Sequence, residues 1–299
     1  MRITNSITTQ GALRMLLTNQ RQIHAASERV STGLRFTRAS EDPSGAAQVM
    51  RASTSLRAIE QYRRNVGAAR TRLDTEESVL DQLSTALIRA RELGIAQASG
   101  TATAETRKTT QAEVDQLLGF AVSLANTRVH GGHLFGGERP DVAPFAVVTG
   151  GPTYDFTTAS PTGVMQVEVA EGQLVGTGHD GTAVFGTAAA GPLAALRQLS
   201  QALHANDPAA ITAANQALEQ VFDDVQGLLG EVGAWTGQLR VTEANLDALD
   251  TTLTAFKAEV SEVDIEAAVS ELVGRQTAYQ AAMLATSRVM GMNLTDYLR

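Results

Sequence analysis

Residues 59–90 read IEQYRRNVGAARTRLDTEESVLDQLSTALIRA, and this stretch decides the fold class. Ile59, Val66, Leu73, Leu80 and Leu87 recur every seven residues, and Tyr62, Ala69, Glu76, Leu83 and Ala90 form a companion row. Two such rows share one side of an α-helix, the seam of a coiled coil. Upstream, Asp42 can accept from the first helical amides, and Pro43 suits a first position that needs no N–H. No proline occurs from 44 to 139. The spacing therefore predicts one helix over about 43–98, some 80 Å long at roughly 1.5 Å per residue.

The same periodicity extends outward. Toward the N-terminus, Leu13, Leu16, Gln20, Ile23, Ser27, Val30 and Leu34 alternate steps of three and four, until Gly33 interrupts the helix. After a turn around Gly100, a third helix is expected from about 104 to 129, with Val114, Leu117, Leu118, Ala121 and Leu124 on its apolar side. Helix returns near Leu193, and Asp207-Pro208 repeats the capped start. The next seam is Trp235, Leu239, Thr242, Leu246, Leu249, Leu253, Phe256, Val260 and Val263. It skips register near Asp264 and resumes as Ile265, Val269, Leu272, Gln276, Tyr279, Met283, Thr286 and Met290. Between the helical halves lie Gly-rich turns and short β-branched runs such as Phe145-Ala146-Val147-Val148 and Val164-Met165-Gln166-Val167-Glu168-Val169.

The expected fold is mainly α: a long antiparallel helical bundle or coiled coil formed by both chain ends, with a small β-rich inserted domain. The expected parts are a terminal assembly domain (1–40 plus 258–299), a helical bundle (41–136 plus 192–257) and a β-rich surface insert (137–191).

Aromatic residues are only 4% of the 299, so slender helices with small-residue seams are favoured over one thick core. The absence of cysteine removes disulfides, thiolate metal sites and cysteine nucleophiles together. No run reaches the roughly 18 apolar residues of a membrane helix, and the first residues lack a signal peptide's apolar core. A leaderless export route stays open.

The net charge of −8 is unevenly spread. Residues 1–72 hold twelve arginines and four acids, whereas residues 241–299 hold four basic and nine acidic groups. A basic arm can signal nucleic acid, but here an acidic C-terminal arm is an equally good partner. Neither nucleic acid nor membrane insertion is expected. Arg29, Arg35 and Arg38 are candidates to meet acids of that arm or of a neighbouring subunit, against the plainer reading of a solvated face.

No catalytic constellation emerges. His130 and His133 could be half a metal site but have no third ligand nearby, and His179-Asp180 in its Gly-rich turn is similar. The glycines of 131–137 lack the Lys-Ser/Thr of a phosphate loop and follow a helix, not a strand. The acid pairs Glu76-Glu77 and Asp223-Asp224 sit in helical patterns and read by default as solvated faces. No enzyme activity, metal or cofactor is expected.

The ends themselves point to assembly. Leu13, Leu16, Ile23 and Val30 offer too little apolar area to order some 35 residues on their own. Both ends are expected to be mobile in the monomer and to order against each other and against further copies.

The motifs resemble the bacterial flagellins and their hook-associated relatives. Glu28-Arg29-Val30-Ser31-Thr32-Gly33-Leu34-Arg35 is similar to the family's "LSSGLR", and Ala39-Ser40-Glu41-Asp42-Pro43-Ser44-Gly45 to the segment that follows it. Glu113-Val114-Asp115-Gln116-Leu117 and Leu124-Ala125-Asn126-Thr127 resemble its third helix, and Gly132-His133-Leu134-Phe135-Gly136-Gly137 the closing turn. Val263-Asp264-Ile265-Glu266-Ala267-Ala268-Val269-Ser270-Glu271-Leu272 resembles the C-terminal signature. The Leu-Phe-Gly-Gly turn, the short insert and the tail ending Leu294-Thr295-Asp296-Tyr297-Leu298 are closest to the family's hook–filament junction members. Phe36-Thr37-Arg38 and Thr295 depart from the family patterns.

The resemblance implies a structural subunit of the secreted, extracellular flagellum, an adapter between hook and filament, with filament-forming flagellin as the alternative. It implies unfolded export by the type III apparatus with an export chaperone. The implied partners are copies of itself in a ring, the hook-side hook-associated protein, and flagellin. The candidate assembly interface is Leu13, Leu16, Ile23, Arg29, Val30, Arg35 and Arg38 near one end. Near the other it is Leu272, Tyr279, Met283, Met290, Leu294, Tyr297 and Leu298.

Overall fold

The computed structural model describes residues 2–129, 131–148, 153–159 and 162–297; the side chains of residues 1–6, 8–9 and 289–299 lie outside the described set. Among the described residues the chain runs α1 (Arg2–Thr32), α2 (Pro43–Ala98), α3 (Ala104–Ala125), β1 (Arg128–Val129), β2 (Gly132–His133), β3 (Phe145–Val148), β4 (Asp155–Thr158), β5 (Gln166–Ala170), β6 (Gln173–Gly176), α4 (Gly181–Phe185), α5 (Pro192–His204), α6 (Pro208–Ser261) and α7 (Ile265–Tyr297). The fold is mainly α, with long helices pairing and the β structure confined to short antiparallel hairpins. None of the described helices is long and apolar enough to cross a membrane.

The chain divides into two compact units. One comprises Met1–Ala58 with Ala248–Arg299, the other Ile59–Asp247. Helices α2 and α6 contribute to both.

In the second unit, Ile59, Val66, Leu73, Leu80 and Leu87 of α2 are all buried, as are Ala69, Glu76, Leu83 and Ala90 of the companion row. The helix spans Pro43–Ala98 as its spacing predicts. Val114, Leu118, Ala121 and Leu124 of α3 are buried, while Leu117 is half-buried. Trp235, Leu239, Thr242 and Leu246 of α6 turn inward. Past Leu246 the inward row shifts by one, so Leu249 and Phe256 are exposed and Asp250 and Lys257 are half-buried.

Ion pairs lace the basic half of the sequence to the acidic half. Arg63 meets Asp247, Arg70 meets Glu243 at 3.5 Å and Arg91 meets Glu219 at 2.7 Å. Exposed pairs of this kind give at most about 1 kcal/mol each, so they select register more than they supply stability.

Helix α3 stops at Ala125, short of the expected 129. The Asn126 side chain takes over: its amide donates to the Phe145 carbonyl at 2.7 Å, and its carbonyl oxygen accepts from the Phe145 amide at 3.2 Å. That exchange mimics a strand partner and turns the backbone toward the insert. There β1 pairs β2, β3 pairs β4 and β5 pairs β6, each antiparallel. Phe135, Phe145 and Phe185 are fully buried, with ring centroids 5.1 and 5.8 Å from Phe185. They share a core with Leu193, Leu196 and Leu199 of α5.

Candidate functional site

Helices α1 and α7 pack on one another within the first unit. Ala12, Leu16, Asn19, Ile23, Ala26 and Val30 turn inward from α1. Ala268, Leu272, Arg275, Tyr279, Ala282 and Thr286 turn inward from α7 with the same alternating steps. Among the described residues of the two helices, only Ala26 and Ala268 are fully buried. Alanine at these points lets the backbones approach, but it contributes little apolar area.

The seam therefore differs from the one its leucines suggest. Leu13, Gln20 and Ser27 of the expected row are exposed, and Ala12, Asn19 and Ala26 replace them. On α7, Ile265, Val269, Gln276 and Met283 are likewise exposed, whereas Leu272, Tyr279 and Thr286 turn inward. A two-helix pair can cover only one narrow stripe of each partner. Close approach selects the stripe carrying small residues, which leaves larger apolar side chains outside.

The two breaks in periodicity are tied together. Gly33 has φ +70°, and its amide closes α1 on the Arg29 carbonyl at 2.9 Å. Leu34 then bridges Glu262 in antiparallel sense: the Arg35 amide donates to the Ser261 carbonyl at 2.7 Å, and the Val263 amide to the Gly33 carbonyl at 2.9 Å. Asp264 caps α7 by accepting from the Glu266 and Ala267 amides at 2.9 and 3.1 Å. Asp42 caps α2 through the Gly45 amide at 2.8 Å and accepts from the Arg35 guanidinium at 2.6 Å. The Gly45 amide chiefly, and the Ser44 hydroxyl next, hold the Asp42 carboxyl below the usual range; Arg35 adds to this.

The three candidate arginines separate. Arg29 reaches Glu271 of α7 at 3.5 Å. Glu271 also accepts from Arg275 Nε at 2.8 Å, and Arg275 donates to Gln22 of α1 at 2.7 Å. Arg35 pairs locally with Asp42 and lies 5.7 Å from the Phe36 ring centroid. Arg38 is exposed.

Of the remaining candidates, Leu16, Ile23, Val30, Leu272 and Tyr279 meet in the seam. Leu13 and Met283 face outward. The side chains of Met290, Leu294 and Tyr297, and all of Leu298, lie outside the described residues, as does His130. Residues that leucine counting passed over are Ala12, Asn19, Ala26, Ala268, Glu271, Arg275 and Ala282. The signal was present, because Ala12, Asn19 and Ala26 recur every seven residues, as do Ala268, Arg275 and Ala282.

What remains exposed defines the chemistry available. Ile7, Leu13, Met15 and Leu17 on α1, and Ile265, Val269, Val273, Met283 and Leu284 on α7, are uncovered. Contiguous exposed apolar surface is, in general, a mark of protein–protein contact.

Comparison with known proteins gives the family. Residues 3–139 match the bacterial flagellin N-terminal helical region, and residues 212–298 match the flagellin C-terminal helical region. The chain belongs to the bacterial flagellin family. Flagellar hook-associated protein 3 of Escherichia coli is 26% identical over 98% of both chains. Flagellin of Bacillus subtilis is 27% identical over the full length of both. The solved structure of the flagellar junction protein from Legionella pneumophila has the same fold, with a TM-score of 0.57 at 17% identity, over 73% of this chain and all of that one. This flagellin-family chain is thus a structural component of the bacterial flagellum that assembles with other flagellar components.

The histidine and acid candidates are placed as well. His133 is buried in β2, Nδ1 on the Asn126 carbonyl at 3.1 Å and Nε2 beside Arg128. Asp223, Asp224 and Glu77 are exposed, but Glu76 is fully buried, which overturns its reading as part of a solvated face. Glu76 occupies the core row of α2, and a buried carboxylate there needs donors; His179 supplies them.

Proposed function

We propose that this chain is the adapter subunit between the flagellar hook and filament, a structural protein without catalytic activity. Supporting this reading are its full-length likeness to hook-associated protein 3 and the apolar outer faces of the α1–α7 pair. The chain leaves the cell through the type III export apparatus, kept unfolded with the help of an export chaperone. It then adds as a ring of copies between the hook-side hook-associated protein and flagellin, outside the cell. The terminal assembly domain (1–40 plus 258–299) orders on insertion, its exposed leucines, valines and methionines meeting neighbouring subunits.

Deletion of the gene tests the reading. Cells should keep their hooks, lack filaments and release unassembled flagellin. Filaments of normal length in the deletion strain would refute it. Filament flagellin is the second reading, favoured by the full-length similarity to the Bacillus subtilis protein. On that reading, purified protein polymerises alone into long filaments.

A further inference from the structure

Glu76 is 0% exposed in the middle of the α2 core row, flanked by the buried Leu73 and Leu80. Its partner comes from the turn between β6 and α4. Both Glu76 oxygens accept from the His179 backbone amide, at 3.1 and 3.2 Å, and Oε1 lies 2.7 Å from His179 Nδ1. The turn approaches so closely that a Cβ on Gly178, whose φ is +139°, would stand 2.3 Å from Glu76 Oε2. The other ring nitrogen, Nε2, lies 3.0 Å from Glu231 Oε2 of α6. The ring stacks on Trp235, with centroids 4.6 Å apart.

A neutral imidazole donates through one nitrogen and accepts through the other; only the imidazolium donates through both. Two carboxylates on opposite ring nitrogens therefore specify a protonated His179. The three groups do not converge on one point as metal ligands must, so the site suits a proton. The other charged groups nearby are consistent with this. Arg72 of α2, half-buried and hydrogen-bonded to the Leu134 carbonyl, offsets part of the Glu76 charge. Asp180 is turned away to the Gly163 and Ala183 amides. With His179 charged, two cations face two carboxylates; with His179 neutral, Arg72 alone faces both, and one negative charge is left uncompensated.

We propose that His179 is a proton-operated clasp that fastens the β5–β6 hairpin and α4 to helices α2 and α6. The hairpin has a second fastening where Asn65 of α2 donates to the Glu168 carbonyl at 2.7 Å, and Gly176 rests against the Trp235 ring. Loss of the His179 proton leaves a lone pair facing a carboxylate on one side of the ring. The hairpin then opens at the His179 end first.

The direction of the pH effect follows. Burial alone would push the imidazole down, but the hydrogen bonds and charges of Glu76 and Glu231 outweigh it and raise it above 6.5. A raised folded-state value means that the stabilisation is fully present below the unfolded histidine value. It is lost as pH rises through the folded one. The clasp is fastened below the ordinary histidine value, while both carboxylates are ionised, and loosens as pH rises through the raised one.

Trp235 is the only tryptophan, and a stacked imidazolium quenches indole emission, so the full chain reports on its own clasp. Emission titrated from acid to alkaline pH is expected to rise in one step with a midpoint above 6.5. The step should vanish in His179→Gln. In Glu231→Gln, which alters a residue whose side chain is 62% exposed and so leaves folding intact, the midpoint should fall. Hydrogen exchange of the 166–176 amides, corrected for intrinsic rates, should lose about ten-fold protection per unit of pKa elevation across the same step. An unchanged midpoint in Glu231→Gln overturns the proposal. So does a titrating tryptophan signal with constant 166–176 protection, because His179 would then titrate without fastening anything.

Discussion

Leu13 and Leu284 should matter to the assembled flagellum and hardly at all to the isolated chain. Leu13 is 54% exposed on α1 and Leu284 65% exposed on α7. Leu→Ala removes three carbons, worth about 0.8 kcal/mol each when fully buried. Scaled by the area still open at each site, Leu13→Ala forgoes about 1.3 kcal/mol of burial on assembly and Leu284→Ala about 1.6. The double variant thus forgoes about 3 kcal/mol per subunit, roughly a hundred-fold in the association constant. In the monomer both positions face water, and alanine is the best helix former, so stability should stay within about 0.5 kcal/mol of wild type. Leu16→Ala/Leu272→Ala is the matched control, because both residues lie in the half-buried α1–α7 seam. That pair should destabilise the helix pair itself, once it has ordered on assembly, by about 1–2 kcal/mol per site. The assays are circular-dichroism melting of the purified chain, and swimming together with flagellin release in cells complemented with each variant. Normal swimming of the Leu13→Ala/Leu284→Ala cells would refute the outward faces as assembly surfaces. A large drop in monomer melting temperature for that variant would show that the two leucines are already covered.

Three further outcomes follow from named contacts. Gly45→Ala places a Cβ 2.6 Å from Asp42 Oδ2 and 2.9 Å from the Phe36 ring, whereas Gly67 of α2 has open space around it. Chemical denaturation should show Gly45→Ala destabilising by about 1–3 kcal/mol and Gly67→Ala stabilising by about 0.5–1. Arg107 is buried and donates to the Gln97 carbonyl at 3.1 Å, the Ser99 carbonyl at 3.1 Å and Asn206 Oδ1 at 2.5 Å. Arg107→Ala leaves those acceptors unpaired and should cost about 2–4 kcal/mol by denaturant midpoint; Arg107→Lys, lacking the planar fork, should not restore it. The Asp42 carboxyl is depressed, so its capping contribution is present above the unfolded value and is lost as pH falls through the folded one. Melting temperature followed from pH 5 to pH 2 should fall less steeply in Asp42→Asn than in wild type, and equal slopes would count against the cap.

Much of this was legible in the chain itself. The heptad rows of 59–90 and the Asp42-Pro43 cap predict a helix over about 43–98, where α2 lies, because a long helix with an apolar stripe has few alternatives and a capped proline start has fewer. The Gly33 and Asp264 breaks were visible as lapses in period, and the family motifs lie on the same elements. Tertiary structure decided the rest. It joined the two breaks through the Leu34–Glu262 bridge, a pairing across most of the chain that no local pattern encodes. It set the α1–α7 seam on Ala26 and Ala268 instead of the neighbouring Ser27 and Val269, since helix approach is limited by the bulk between the backbones and not by the hydrophobicity of either helix alone. It also buried Glu76. A carboxylate in a core row is read as solvated until its donor is known, and that donor, His179, comes from a turn 103 positions away.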